Sequence, residues 1–202
     1  MKKTTNFLFL TVLLLTATLL IRIMPTEKDA AIYEDTIRLH ILANSDTDDD
    51  QALKYAIRDR LLEKYGSRLG RSSTTAEAEN TVELLIPEIQ RDVDVWIREA
   101  GFEYCSDVTL SVEWYDTRKY DSFTLPKGYY TSLRVMIGEA EGQNWWCVMY
   151  PPLCLDIATE DTPGDDAVMG YTKEEYSLIT ESGYSIKFKL LEVFSEAFSK
   201  NG

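Results

Sequence analysis

The run from Phe7 to Ile21 constrains this chain most. Its fifteen residues are interrupted by no polar side chain except Thr11, Thr16 and Thr18, and it follows Lys2 and Lys3. A charged start and then an apolar stretch is the pattern of an export signal. Its apolar residues surround every face of a helix, so it does not read as one side of a packed core. A bilayer core takes about 20 helical residues, which leaves the run short for a full span unless Arg22 snorkels at its end. The small-residue cleavage pattern is poor, because Ala17 has Leu15 two positions before it and Ala30 and Ala31 lie far downstream. A cleaved signal peptide and an uncleaved signal anchor both stay open, with membrane contact through residues 7–23 in the second case. Either way, residues 1–24 stand apart and residues 25–202 are expected to form one exported domain.

Charge narrows the function. The chain has 21 Lys and Arg against 34 Asp and Glu, a net charge of -13. Lys2, Lys3 and Arg22 all precede the first acidic residue, Glu27, so the remainder carries -16. A surface that negative repels phosphate backbones, and no nucleic-acid partner is expected. With one histidine and three cysteines, little material exists for a metal site, and no metal or cofactor is expected. Cys147 and Cys154 lie seven apart across Tyr150-Pro151-Pro152, a spacing that a turn can close into a disulfide loop. Two buried thiols fit it equally well. Cys105 is left over and is expected on a buried strand.

Patterning points to an α+β fold. Ile37 to Ile41 alternates apolar and polar residues, a strand signal. Asp48 with Gln51 reads as a helix N-cap and its capping-box partner, ahead of a helix carrying Leu53, Ile57, Leu61 and Tyr65 and stopping at Gly66. Residues 76–100 form a second helix on Val82, Ile86, Ile89, Val93 and Trp96, in which Pro87 either makes a kink or marks the first turn. Cys105–Tyr115 and Leu133–Ile137 alternate with period two. Gly138 to Gly142 reads as a hairpin-like turn into Trp145–Val148, residues 159–170 as a mobile acidic loop, and the chain from Ser185 as a helix. The expectation is a small, largely antiparallel sheet covered by helices and preceded by the N-terminal signal or anchor helix.

Asp46, Asp48 and Asp50 occupy alternate positions of a calcium loop, but Gln51 stands where the sharp turn needs Gly and Ile57 where it needs Glu. They serve better as a helix cap. His40 is the one ordinary base at neutral pH. An exported envelope hydrolase pairing it with Cys147 is the rival reading, although no G-x-S-x-G elbow accompanies it. A contact face of Arg38 and His40 is the alternative. Trp145 and Trp146 are adjacent on a strand and must point to opposite faces, so one of them belongs to a second core or to an aromatic contact patch.

Arg38-Leu39-His40-Ile41-Leu42-Ala43-Asn44-Ser45-Asp46, then Asp50-Gln51-Ala52-Leu53-Lys54 and Arg58-Asp59, resembles the first signature of the stage II sporulation protein R family. Leu125-Pro126-Lys127-Gly128-Tyr129, Leu133-Arg134-Val135, Ile137-Gly138-Glu139 and the stretch from Asn144 to Cys154 resemble its second. Together they cover most of residues 36–155. Tyr150 departs from a Phe expected in many relatives, and Cys105 has no place in the pattern. The resemblance implies a non-enzymatic signalling protein made in the forespore and exported to the space between the two membranes. There it would activate a membrane-embedded aspartic protease that processes pro-sigma-E. Arg38, His40, Asn44, Asp46, Trp145 and Trp146 are the residues expected to make or shape that contact.

Overall fold

The computed structural model describes residues 2–24, 26–69, 72–120, 123–151, 167–168, 170–180 and 186–199. Helix α1 spans Lys2–Ile23 and leaves Phe7, Phe9, Leu10 and Leu13 to Leu15 exposed. Among the described residues no helix is long and apolar enough to cross a membrane. Helix α2 (Glu27–Ala30) starts on a capping box between Thr26 and Asp29, and a 3-10 turn over Ala31–Tyr33 leads into strand β1, Ile37–Leu42. Helices α3 (Asp48–Leu69) and α4 (Thr75–Glu99) follow in succession. Next come β2 (Ser106–Tyr115), the short pair β3 (Arg118–Lys119) and β4 (Thr124–Leu125), then β5 (Gly128–Ile137) and β6 (Asn144–Tyr150). A short pair β7 (Ala167–Val168) and β8 (Tyr171–Thr172), α5 (Lys173–Thr180) and α6 (Ile186–Ser199) complete the chain.

The fold class is α+β, and the sheet is mixed. Its strand order is β2-β5-β1-β6: β1 runs parallel to β5 and antiparallel to β6, and β2 is antiparallel to β5. The turn from Gly138 to Gly142 therefore does not close a hairpin, because β1 lies between the strands it joins. Alternation in the sequence identifies strands but not the strand inserted between two of them. Three local expectations also move. The α3 cap is Thr47, whose Oγ1 accepts the Asp50 N–H at 3.4 Å, while the Gln51 side chain donates to the Ser45 carbonyl at 2.8 Å. Gly66 is buried inside α3, which continues because Tyr65 packs in the core and Arg68 pairs with Glu88 of α4 at 3.2 Å. Cys105 is exposed and free, just before β2. Pro87 lies within α4, whose cap at Thr74 puts the first turn well upstream. Helix α5 was not anticipated by the patterning, and most of the acidic segment 159–170 lies outside the described residues.

Residues paired across a sheet share a face, so four rows define the layers. Cys147, Leu39, Leu133 and Leu110 form one row, and Trp145, Ile41, Val135 and Val108 the next. This face packs against Leu53, Ile57, Leu61 and Tyr65 of α3 and against Val82, Leu85, Ile89, Val93 and Ile97 of α4. Each fully buried Leu or Ile there contributes about 1.5–3 kcal/mol of transfer free energy. The opposite face carries Val148, Arg38, Ser132 and Ser111 in one row and Trp146, His40, Arg134 and Thr109 in the next. Only its first row is covered, by a second cluster of Ile32, Phe123, Leu125, Tyr171, Leu178, Ile179, Phe188 and Leu191 around Val148. The row through His40 is left near the surface.

One carboxylate ties β1 to its neighbours. Buried Asp50, in the first turn of α3, accepts hydrogen bonds from Asn44 Nδ2 (2.8 Å), Ser45 Oγ (2.5 Å) and the Tyr104 hydroxyl. Asn44 Oδ1 in turn accepts the Glu139 N–H at 3.0 Å, and Asp46 accepts that of Gln143 at 2.7 Å. Gly138, at φ +58°, sits where a methyl group would collide with Asn44. Burial alone would raise the Asp50 pKa, but hydrogen bonds from Ser45, Tyr104, Asn44 and Thr47 outweigh it and hold the carboxyl below its ordinary value. A depressed carboxyl contributes stability above its unfolded pKa of about 3.9 and loses it as pH falls through the folded value. Asp50→Asn should therefore cost about 2–4 kcal/mol at neutral pH. It should also flatten the loss of stability below about pH 4, both read from urea denaturation across pH.

Candidate functional site

Where the second cluster stops, the polar face of the sheet opens into a cavity of about 240 Å³ lined by His40, Glu113, Trp114, Tyr115, Asp116, Arg118, Asn144 and Trp146. Side chains from β1, β2, β3 and β6 meet there because their residues fall in register on one face. His40 and Trp146 are cross-strand partners, and their rings stack at 5.6 Å with an interplanar angle of 22°. The Arg118 guanidinium lies over Trp146, 3.7 Å from the ring centroid. His40 also meets Tyr115 in a T-shaped contact at 6.0 Å, and the Arg38 guanidinium lies over Tyr115 at 3.8 Å. Arg118, Trp146, His40, Tyr115 and Arg38 are thus linked by successive ring and guanidinium contacts, in which each cation faces an aromatic ring.

Glu113 is the electrostatic centre of this group. Its Oε2 accepts the Tyr115 hydroxyl at 3.0 Å and lies 3.1 Å from His40 Nδ1. Its Oε1 lies 2.9 Å from Arg134 Nε, an ion pair by distance in which the N–H does not point along a hydrogen bond. The second imidazole nitrogen, Nε2, is 3.0 Å from Asn144 Oδ1. Both nitrogens thus face oxygens, a pattern satisfied by a doubly protonated ring or by a turned Asn144 amide. Burial pushes the Tyr115 hydroxyl far above its ordinary pKa, and the Glu113 charge adds to the rise against the Ser132 hydrogen bond. It stays a neutral donor.

Arg38 is fully buried. Its Nη2 donates to the Tyr120 hydroxyl at 2.9 Å, its guanidinium lies over Tyr115 and 5.2 Å from the Tyr130 centroid, and Nε and Nη1 have no partner. No carboxylate pairs with it among the described residues. The residues singled out from the sequence therefore divide. His40 and Trp146 meet at the cavity, and Arg38 supports it from beneath. Asn44 and Asp46 hold the turn of Gly138–Gly142 instead, and Trp145 packs on the helical face with Arg58 5.3 Å from its ring. Cys147 is buried on that same helical face and is disulfide-bonded, while Cys154 lies outside the described residues. A His40–Cys147 pair is thus ruled out by geometry, since the two side chains leave opposite faces of the sheet and the sulfur is not a thiol.

Glu113, Tyr115, Arg118 and Asn144 were missed by the sequence reading. Glu113 and Tyr115 carry a signal in retrospect: they are the polar phase of the β2 alternation, which must share a face with the polar phase of β1. Arg118 had none, because its position depends on a two-residue strand.

Residues 33–160 match the family of stage II sporulation protein R. Over 187 residues, 83% of this chain and 84% of its relative, the sequence is 30% identical to the stage II sporulation protein R of Bacillus subtilis (strain 168). No solved structure matches the chain. The matched segment holds the whole four-stranded sheet, α3, α4 and every residue of the cavity.

Removing the central carboxylate leaves Arg134 and His40 facing each other across a partly buried gap. Glu113→Gln should therefore cost about 1–3 kcal/mol in urea denaturation, discounted for the partial exposure of all three side chains. Arg38 should behave differently, because an unpaired buried cation contributes little to stability. Arg38→Met, which keeps the volume, should stay within about 1 kcal/mol of wild type or exceed it, while Arg38→Ala leaves a cavity worth about 2–4 kcal/mol.

Proposed function

This chain belongs to the stage II sporulation protein R family, and on that premise we propose that it is an exported contact signal that breaks no bonds itself. Its role lies in sporulation. In the reading favoured here, α1 directs residues 25–202 out of the forespore into the intermembrane space. The folded domain there binds the outer part of a membrane-embedded aspartic protease and shifts it to the state that processes pro-sigma-E. Such a ligand acts only by binding the active state more tightly than the inactive one, and a shift from 1% to 99% active needs about 10⁴-fold preference.

One observation carries the reading. Residues from both ends of the matched segment, His40 on β1 and Asn144 and Trp146 on β6, converge on one surface cavity in which the imidazole is held between Glu113 and Asn144. A general base needs a free lone pair beside a nucleophile. Here both His40 nitrogens are engaged, and the Tyr115 hydroxyl is bound to Glu113 and Ser132. What the cavity presents is a fixed aromatic and guanidinium relief, the composition of an interaction hot spot.

The test is co-expression of this chain, the protease and pro-sigma-E in a non-sporulating host, with precursor cleavage followed by gel mobility. Cleavage is expected only when all three are present. Trp146→Ala, Arg118→Ala and His40→Ala, each verified as folded by thermal melting, should each reduce it by roughly tenfold or more. Full-rate cleavage by folded variants would remove this cavity as the contact.

A further inference from the structure

The outer edge of β2 is half closed and half open, and the division is set by α4. Asp94 accepts the Ser106 N–H at 2.8 Å, Gln90 Nε2 donates to the Ser106 carbonyl at 2.6 Å, and Gln90 Oε1 accepts the Val108 N–H at 2.8 Å. These groups point away from β5. Because backbone direction alternates along a strand, the same is true of Leu110, Val112 and Trp114, which share their phase. Their outward N–H and C=O groups have no partner among the described residues. The strand is ten residues long, contains no Pro or Lys and pairs with β5 without a bulge, so three of the usual protections of a free edge are missing. Val112 is 66% exposed, and beside it Trp114 packs edge-on against half-exposed Tyr129.

We propose that this edge, Leu110 to Trp114, receives an extended segment of a partner protein as a fifth strand of the sheet. The inference rests on the reading that the chain works by touching another protein, and it adds the mode of contact. Strand addition draws affinity from main-chain hydrogen bonds and selectivity from alternate side chains. On the helical face, Val112 and Trp114 call for apolar residues. On the other face, Thr109 and Ser111 admit neutral residues, Glu113 is already paired with Arg134, and exposed Asp116 just beyond the strand calls for a basic one. A second copy of this chain is a poor occupant, since pairing would bring together two bodies of net charge -13. The segment is therefore foreign and extended, apolar on one face and neutral to basic on the other.

The probe is a short peptide alternating lysine and valine, compared with the same peptide N-methylated on alternate residues and with a glutamate–valine version. Amide hydrogen exchange of the full chain is the readout. The lysine–valine peptide should slow exchange at Leu110, Val112 and Trp114 by roughly tenfold or more, and the other two should not. Val112→Pro, which removes an outward N–H and no internal hydrogen bond, should abolish the protection, while Val112→Thr keeps it. Absence of protection, equal protection by the N-methylated peptide or equal protection by the glutamate peptide would each overturn the proposal. In the three-component cleavage assay, wild-type rates from folded Val112→Pro would also overturn it while leaving the activator reading standing. Failure of the wild-type chain in that assay would remove the activator reading, and the exchange experiment would still decide the edge.

Discussion

The double pairing of β1 is the constraint on which everything else depends. Six residues hydrogen-bond to β5 on one side and to β6 on the other, and successive side chains go to opposite layers. Ile37, Arg38, Leu39 and Ile41 are fully buried and His40 nearly so. A slip of one residue would drive a guanidinium and an imidazole into the helical core and turn three aliphatic side chains to the polar face. The alternation thus fixes the register of the sheet and the position of the cavity in one stroke. Core and site are two faces of the same strand.

Around this strand the polar interactions are of two kinds. The Asp50 network is fully satisfied and ties α3, the exit of β1 and the approach to β6 into one rigid corner. The Glu113 network is more strained in its charge balance: one carboxylate serves Arg134, His40 and Tyr115, while Arg38 below has rings in place of a counter-ion. Buried polar groups that lack partners weaken a fold unless something else holds them. Here the rings of Tyr115 and Tyr130 lie against the Arg38 guanidinium, at 3.8 Å and 5.2 Å.

Much of the fold was legible in the sequence because its signals are local. The alternation of Ile37–Ile41, the four-residue spacing of Leu53 to Tyr65 and the helical face from Val82 to Trp96 each report on one element. The adjacent tryptophans also told the truth about themselves, one joining the helical core and the other the polar face. What could not be read was long-range. Nothing in Gly138–Gly142 reveals that another strand lies between the two it joins, and nothing near Arg118 reveals that it lies on Trp146. Asn44 and Asp46 show the opposite case: polar residues in a recognisable motif that serve a turn nearly a hundred residues away.

The strand order also dictates a sequence of events in time. The central strand is synthesised early, yet both of its partners follow about a hundred residues later, so no stable sheet can form on the emerging N-terminal half. Contacts this distant in sequence make folding slow. Until β5 and β6 exist, the growing chain has helices, α3 and α4 the longest of its folded domain, but no partner for β1. The sheet can close only once β6, Asn144–Tyr150, has been made, three-quarters of the way along the chain.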